Sequence, residues 1–175
     1  SFFGGSNVNV IRIGCTGVDV SDGSITVGNV VSEIRSGAFQ ECLSLISVMF
    51  ESNSSLKLIG ASAFRSATSL TALTIPASVT RLGTDSFRSC SSLSSVIFEF
   101  NSSLAVIDDN AFYSATSLTA LTIPASVKEL GYRAFSSCSS LSSVIFESNS
   151  SLRLIGRQAF QLATSLTALT IPASV

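Results

Sequence analysis

Residues 53–99 read NSSLKLIGASAFRSATSLTALTIPASVTRLGTDSFRSCSSLSSVIFE, and residues 101–147 return as NSSLAVIDDNAFYSATSLTALTIPASVKELGYRAFSSCSSLSSVIFE, 48 positions on. Each block holds one short unit twice, since Phe64 stands six residues before Leu70 as Phe87 stands six before Leu93. Outward from the block the phenylalanine recurs as Phe39, Phe112, Phe135 and Phe160, so the gaps run 25, 23, 25, 23 and 25. The leucine follows as Leu45, Leu118, Leu141 and Leu166. Periods of this size predict a repeat solenoid, in which no unit can bury its apolar face alone and each must stack on the next.

Within a unit, the alternation in Thr71-Ala-Leu-Thr-Ile75 or Ser94-Ser-Val-Ile-Phe98 predicts a strand. Leu73 and Ile75, or Val96 and Phe98, turn inward on it. Pro76 ends the strand in the shorter connection, because proline has no N–H to continue a ladder. Residues 99–103 make the other connection two residues longer. A second extended patch follows at 79–82 or 56–59. Gly83 or Gly60 is then expected to give a left-handed turn into a short helical segment carrying the phenylalanine.

The chain has 175 residues, 46% hydrophobic and only 12% charged, with a net charge of −1. Serine and threonine supply much of the remaining polarity. So balanced a charge gives no electrostatic basis for binding nucleic acid or an acidic membrane. No apolar run approaches the roughly 18 residues of a membrane helix, and the regular apolar recurrence is not that of a disordered chain. Histidine is absent, which excludes Ser-His-Asp and Cys-His catalysis and removes the commonest zinc ligand. Lys128-Glu129 makes no Ser-Lys arrangement, Asp108-Asp109 occurs in one coil alone, and Asp19 with Asp22 is too small a set for calcium. No catalytic residue, cofactor or metal is expected. With no initiator Met and no signal peptide, a mature product or a fragment is expected.

From Leu70 to Leu93 the residues follow L-x-x-L-x-I-P-x-S-V-x-x-L-G-x-x-x-F-x-x-C-x-x-L. This pattern resembles the BspA-like leucine-rich repeat, and the resemblance spans about residues 34–175. It implies a right-handed, gently curved coil with a parallel sheet on its concave side. It also implies a surface or secreted protein of the kind often implicated in adhesion. Joined to the local reading, the expected fold class is a leucine-rich-repeat solenoid with a concave parallel sheet. Second short strands and short helical turns are expected on the other side. The chain departs from the family pattern in its 48-residue doubling, and in Ala67, Ala115 and Ala163 where alternate coils carry Cys42, Cys90 and Cys138.

Residues 1–34 are expected to form an irregular first coil. Phe2 aligns with the repeat phenylalanine, Val8 with the leucine, and Ile11 and Ile13 with the inward strand positions. About 14 extra residues precede the next match at Val31 and Ile34. Asp22-Gly23 between alternating runs reads as a hairpin within about 15–30. Residues 35–175 then hold about six repeats of 23 or 25 residues, the last incomplete. No polar cap follows Ile171-Pro-Ala-Ser-Val175, so two expectations stand: a longer array, or an open end stacked head to tail on another copy.

Three sequons share one position in the longer turn, at Asn53, Asn101 and Asn149, and are candidates for N-glycosylation. Cys42, Cys90 and Cys138 recur every two coils, about 10 Å apart, which exceeds the roughly 7 Å reach of a disulfide. Small buried thiols are expected, with a Cys15–Cys42 bridge as an alternative for the first pair. The outward strand positions are the candidate binding face: Ser47, Met49, Ala72, Thr74, Ser95, Ile97, Ala120, Thr122, Ser143, Ile145, Ala168 and Thr170. None is charged, and Met or Ile interrupts the threonine column in every second coil. The expected function is a non-enzymatic, extracellular or cell-surface structural or adhesive element that binds a protein or glycan through this face. The alternative is a glycosylated stalk or filament that joins copies of itself through open ends and has no discrete ligand. Neither reading involves nucleic acid or membrane insertion of this segment.

Overall fold

The computed structural model describes residues 10–11 and 22–175. Two-residue and four-residue strands alternate along it. They are β1 (Val10–Ile11), β2 (Ser24–Val27), β3 (Glu33–Ile34), β4 (Ser47–Phe50), β5 (Leu58–Ile59), β6 (Ala72–Ile75) and β7 (Arg81–Leu82), then β8 (Ser95–Phe98), β9 (Val106–Ile107), β10 (Ala120–Ile123), β11 (Glu129–Leu130), β12 (Ser143–Phe146) and β13 (Leu154–Ile155). The long strands form a six-stranded sheet, β2-β4-β6-β8-β10-β12, and the short ones a seven-stranded sheet, β1-β3-β5-β7-β9-β11-β13. Every pairing is parallel. Each coil from β2 onward therefore gives one strand to each sheet.

The core lies between the sheets as columns of equivalent residues. Leu45, Leu70, Leu93, Leu118 and Leu141 are fully buried, as are Leu56, Val79, Leu104, Val127 and Leu152. Phe39, Phe64, Phe87, Phe112, Phe135 and Phe160 stack face to face, with centroids 5.1–5.4 Å apart and planes within 13° of parallel. That spacing exceeds the roughly 4.8 Å between strands, as expected of rings offset from one another.

The expected helical turns are not there: the described residues contain no helix. The segment carrying each phenylalanine is a run of tight turns whose amide groups are shared between coils. Ser62, Phe64 and Ser66 donate N–H to the carbonyls of Thr84, Ser86 and Arg88 in the next coil, while Ala63, Arg65 and Ala67 close turns onto Gly60, Ser62 and Phe64 of their own. A helix would spend most of these donors internally, and its roughly 10 Å width needs coils spread further apart than the 5.1–5.4 Å between the phenylalanine rings on this side. The alternation requires left-handed residues, found at Ser62 (φ 56°), Ser66 (58°), Asp85 (56°) and Ser89 (59°). Gly60 and Gly83 are not among them. They serve close approach instead: a Cβ on Gly60 would lie 2.6 Å from the Ser36 nitrogen, and one on Gly83 2.8 Å from that of Ala61.

The doubling has a visible consequence. Strands separated by 23 residues pair along all four positions, as Ser24–Val27 does with Ser47–Phe50. Those separated by 25 pair only at their first residues, Ser47 with Ala72 and Val48 with Leu73. The longer turn thus lets alternate strands diverge at their ends. Hydroxyls tie neighbouring coils together: Ser78, Thr80 and Ser126 donate to the carbonyls of Leu56, Lys57 and Leu104 at 2.8–3.0 Å. Part of the serine and threonine content therefore bonds backbone rather than facing a ligand.

Of the first segment, Ser24–Val27 is a regular strand of the long sheet, with Ile25 and Val27 in the core. Val10–Ile11 pairs with Glu33–Ile34, so Ile11 stands beside Ile34 in the short-strand sheet. Phe2, Val8, Ile13 and the first arm of the expected hairpin lie outside the described residues. At the other end residues 167–171 form no strand, and Ile155, Phe160, Leu166 and Leu169 are only partly buried.

Candidate functional site

Alternation along the long strands sends Leu73 and Ile75 inward and leaves Ala72 and Thr74 exposed, and the same holds for Ala120 and Thr122. In the intervening coils Ser47, Ser95 and Ser143 are half-buried, while Met49, Ile97 and Ile145 stand 53–57% exposed. The face is thus two rows, one of Ser and Ala, the other of Thr with Met or Ile. The fold brings ten of the twelve candidate residues onto one sheet. Ala168 and Thr170 are exposed beyond its last strand. Threonines separate Met49, Ile97 and Ile145 along the second row, and no charged residue stands on either row.

The rim at the ends of the long strands carries the sequon asparagines. Asn53, Asn101 and Asn149 are all exposed, each with φ of 57–58°, a conformation that asparagine tolerates better than most residues. The next serine fixes the turn, because Ser54, Ser102 and Ser150 accept the N–H of the buried Leu56, Leu104 and Leu152. Sequence reasoning missed the acids before them. Glu51, Glu99 and Glu147 each reach back one coil to accept the N–H of Asn29, Ala77 and Ala125, at 2.8–3.0 Å. Their 48-residue period was the available signal.

The other candidate groups are structural. Cys90 and Cys138 are free, buried, and donate to the carbonyls of Phe64 and Phe112 at 3.0 and 3.1 Å. Burial pushes both thiols up to about 12, so neither is a nucleophile at neutral pH. Cys42 is disulfide-bonded rather than the free thiol expected; Cys15, its partner in the alternative reading, lies outside the described residues. Asp108 takes both ends of a fork from Arg81 at 2.7 and 2.8 Å, and Asp109 accepts the Tyr132 N–H. These acids tie neighbouring coils. No group of three or more Cys, Asp or Glu suited to a metal occurs among the described residues, and no helix there is long and apolar enough to cross a membrane.

A family model for the BspA-type leucine-rich repeat region matches six copies, over residues 21–103 and 57–175. The chain belongs to the BspA-type leucine-rich repeat family. Solved members of similar fold include the pneumococcal vaccine antigen PcpA, 30% identical with a TM-score of 0.65 over 73% of this chain and 31% of that one. The leucine-rich repeat protein of T. pallidum is 31% identical, TM-score 0.64, over 76% of this chain and 68% of that one. A leucine-rich cell surface protein of Faecalibacterium prausnitzii is 32% identical, TM-score 0.50, over 70% of this chain and 38% of that one. The chain therefore spans about a third of the antigen's length. No curated protein matches it. Among leucine-rich repeats of this type, the two-sheet coil described here is a repeat whose outer wall is made of turns.

Proposed function

We propose that this chain is a non-enzymatic adhesive module of a surface or secreted protein, binding a macromolecular partner through the outward face of its long-strand sheet. The observation that carries this reading is the unbroken uncharged face, with Met49, Ile97 and Ile145 exposed at two-coil intervals. It is supported by the likeness to a vaccine antigen and to a cell surface protein. Affinity would be spread over several coils, with the exposed apolar residues as anchors and the small residues between them allowing close approach. The test is binding of the immobilised chain to host cells and matrix proteins, with Met49, Ile97 and Ile145 all replaced by lysine in the control. Loss of binding at an unchanged melting temperature is expected. Undiminished binding by that variant would overturn the assignment of the face.

A further inference from the structure

The rim is corrugated, because longer turns alternate with shorter ones. Between the longer turns at residues 99–103 and 147–151 lies an open surface groove of about 690 Å³. One wall is Phe100 with Asn101 and Ser102, the other Phe146 with Glu147 and Ser148, and Ala125 and Ser126 of the shorter connection make the floor. Phe100 is the departure. It stands 88% exposed where the equivalent turns carry Ser52 and Ser148, and no packing of the repeat calls for it.

We infer that this groove binds a neutral oligosaccharide carried by the partner, with Phe100 as the stacking platform. The inference rests on the adhesive reading above and deepens it. Two features select the ligand. The groove holds no cation, and one oxygen of its single carboxylate, Glu147, is engaged by the Ala125 N–H, so an anionic sugar gains nothing there. Its other polar groups both donate and accept. Ser102 uses an acceptor site on Leu104 N–H and keeps its hydroxyl proton, Ser126 spends its proton on the Leu104 carbonyl and keeps its lone pairs, and the Asn101 amide offers both. Sugar hydroxyls need that two-way pairing, while the C–H face of a pyranose matches Phe100 beside the exposed Ile145. A peptide backbone also donates and accepts, so what favours a sugar is the exposed ring of Phe100 offered to the C–H face of a pyranose.

The experiment is titration of the intact chain with cellohexaose, chitohexaose and mannohexaose, followed by calorimetry and by amide shifts at residues 100–102, 125–126 and 147–148. A sulfated hexasaccharide serves as the anionic control. At least one neutral probe should bind, Phe100→Ser should weaken it roughly tenfold or more, and Phe100→Tyr should retain it. Because serine occupies the equivalent turns, Phe100→Ser keeps the fold, which an unchanged melting temperature checks. No neutral binding up to about 10 mM, or binding indifferent to Phe100→Ser, would overturn the inference. So would Phe100-dependent binding of a protein without any sugar, or an intact mass showing that Asn101 itself carries a glycan filling the groove. If sugar binding fails while the long-strand face still captures host surfaces, the adhesive reading stands and the groove loses its role.

Discussion

Phe87 is fully buried, stacked between Phe64 and Phe112 at 5.2 and 5.1 Å, and its N–H is spent on the Ala111 carbonyl of the next coil. Ten residues on, Ile97 stands 57% exposed on the long-strand face. The turn wall and the strand face are built from the same repeats, yet the first leaves no freedom and the second leaves a good deal. On the wall, side chain and backbone both engage the neighbouring coil, so a change is felt in two coils at once. On the face, apart from the Ser47 hydroxyl donating to that of Ser24 at 3.2 Å, only the backbone is committed, and the side chain is free to vary. That freedom is why Thr74 and Ile97 can lie opposite each other in register, and why Phe100 could appear on the rim.

The largest effect should come from cutting the wall. Phe87→Ala removes the middle of the ring column and should cost about 3–5 kcal/mol, read by urea unfolding followed by circular dichroism. Recovery of near-native stability would show that the column is not what holds the coils. Alkali tests the same interior. The folded thiols of Cys90 and Cys138 ionise near 12 rather than at their ordinary 9.0, so above 9 the unfolded chain loses protons that the folded one keeps. The thiols' contribution to stability should be level below pH 9 and fall between 9 and about 12; Cys90→Ala with Cys138→Ala should flatten the decline. A slope unaltered by that pair of substitutions would place the thiols in water.

Gly131→Ala probes the contact between coils from the backbone side. Its Cβ would lie 2.5 Å from backbone atoms of Asp108 and Asp109, and overpacking of this kind costs about 1–3 kcal/mol. Ser86 offers the opposite sign. It replaces the alanine of its column, is fully buried, and its hydroxyl has no partner. Ser86→Ala should therefore stabilise the chain by about 1 kcal/mol or more, seen as a raised urea midpoint. Smallest is the face itself: Ile97→Lys should change stability by no more than about 0.5 kcal/mol. A loss as large as that of the wall would erase the distinction between the two regions.

The repeat phenylalanines, the leucine columns and the inward strand residues were legible in the sequence because a period of 23 or 25 leaves each at one angular position in every coil. Ten of the twelve face residues followed from the same alternation. The helical turns did not, and the reason lies in Gly60, Ser62 and Ser66. A glycine ahead of an Ala-Phe pair looks like a helix entry, whereas the chain uses that glycine for close approach and gives the left-handed turn to serines. Which N–H groups are shared is a property of the neighbour rather than of the segment.

Sequence alone determined that the chain must coil and stack, since each unit has an apolar stripe it cannot hide by itself. It also determined which side chains go inside. Only the assembled structure decided how the outer wall closes, because amides bonded between coils have no counterpart within one. Likewise, only the stack sets Glu147 against Ala125 one coil back and opens a groove beside Phe100. Those groups are far apart along the chain and meet through the alternation of long and short turns, a relation no single repeat contains.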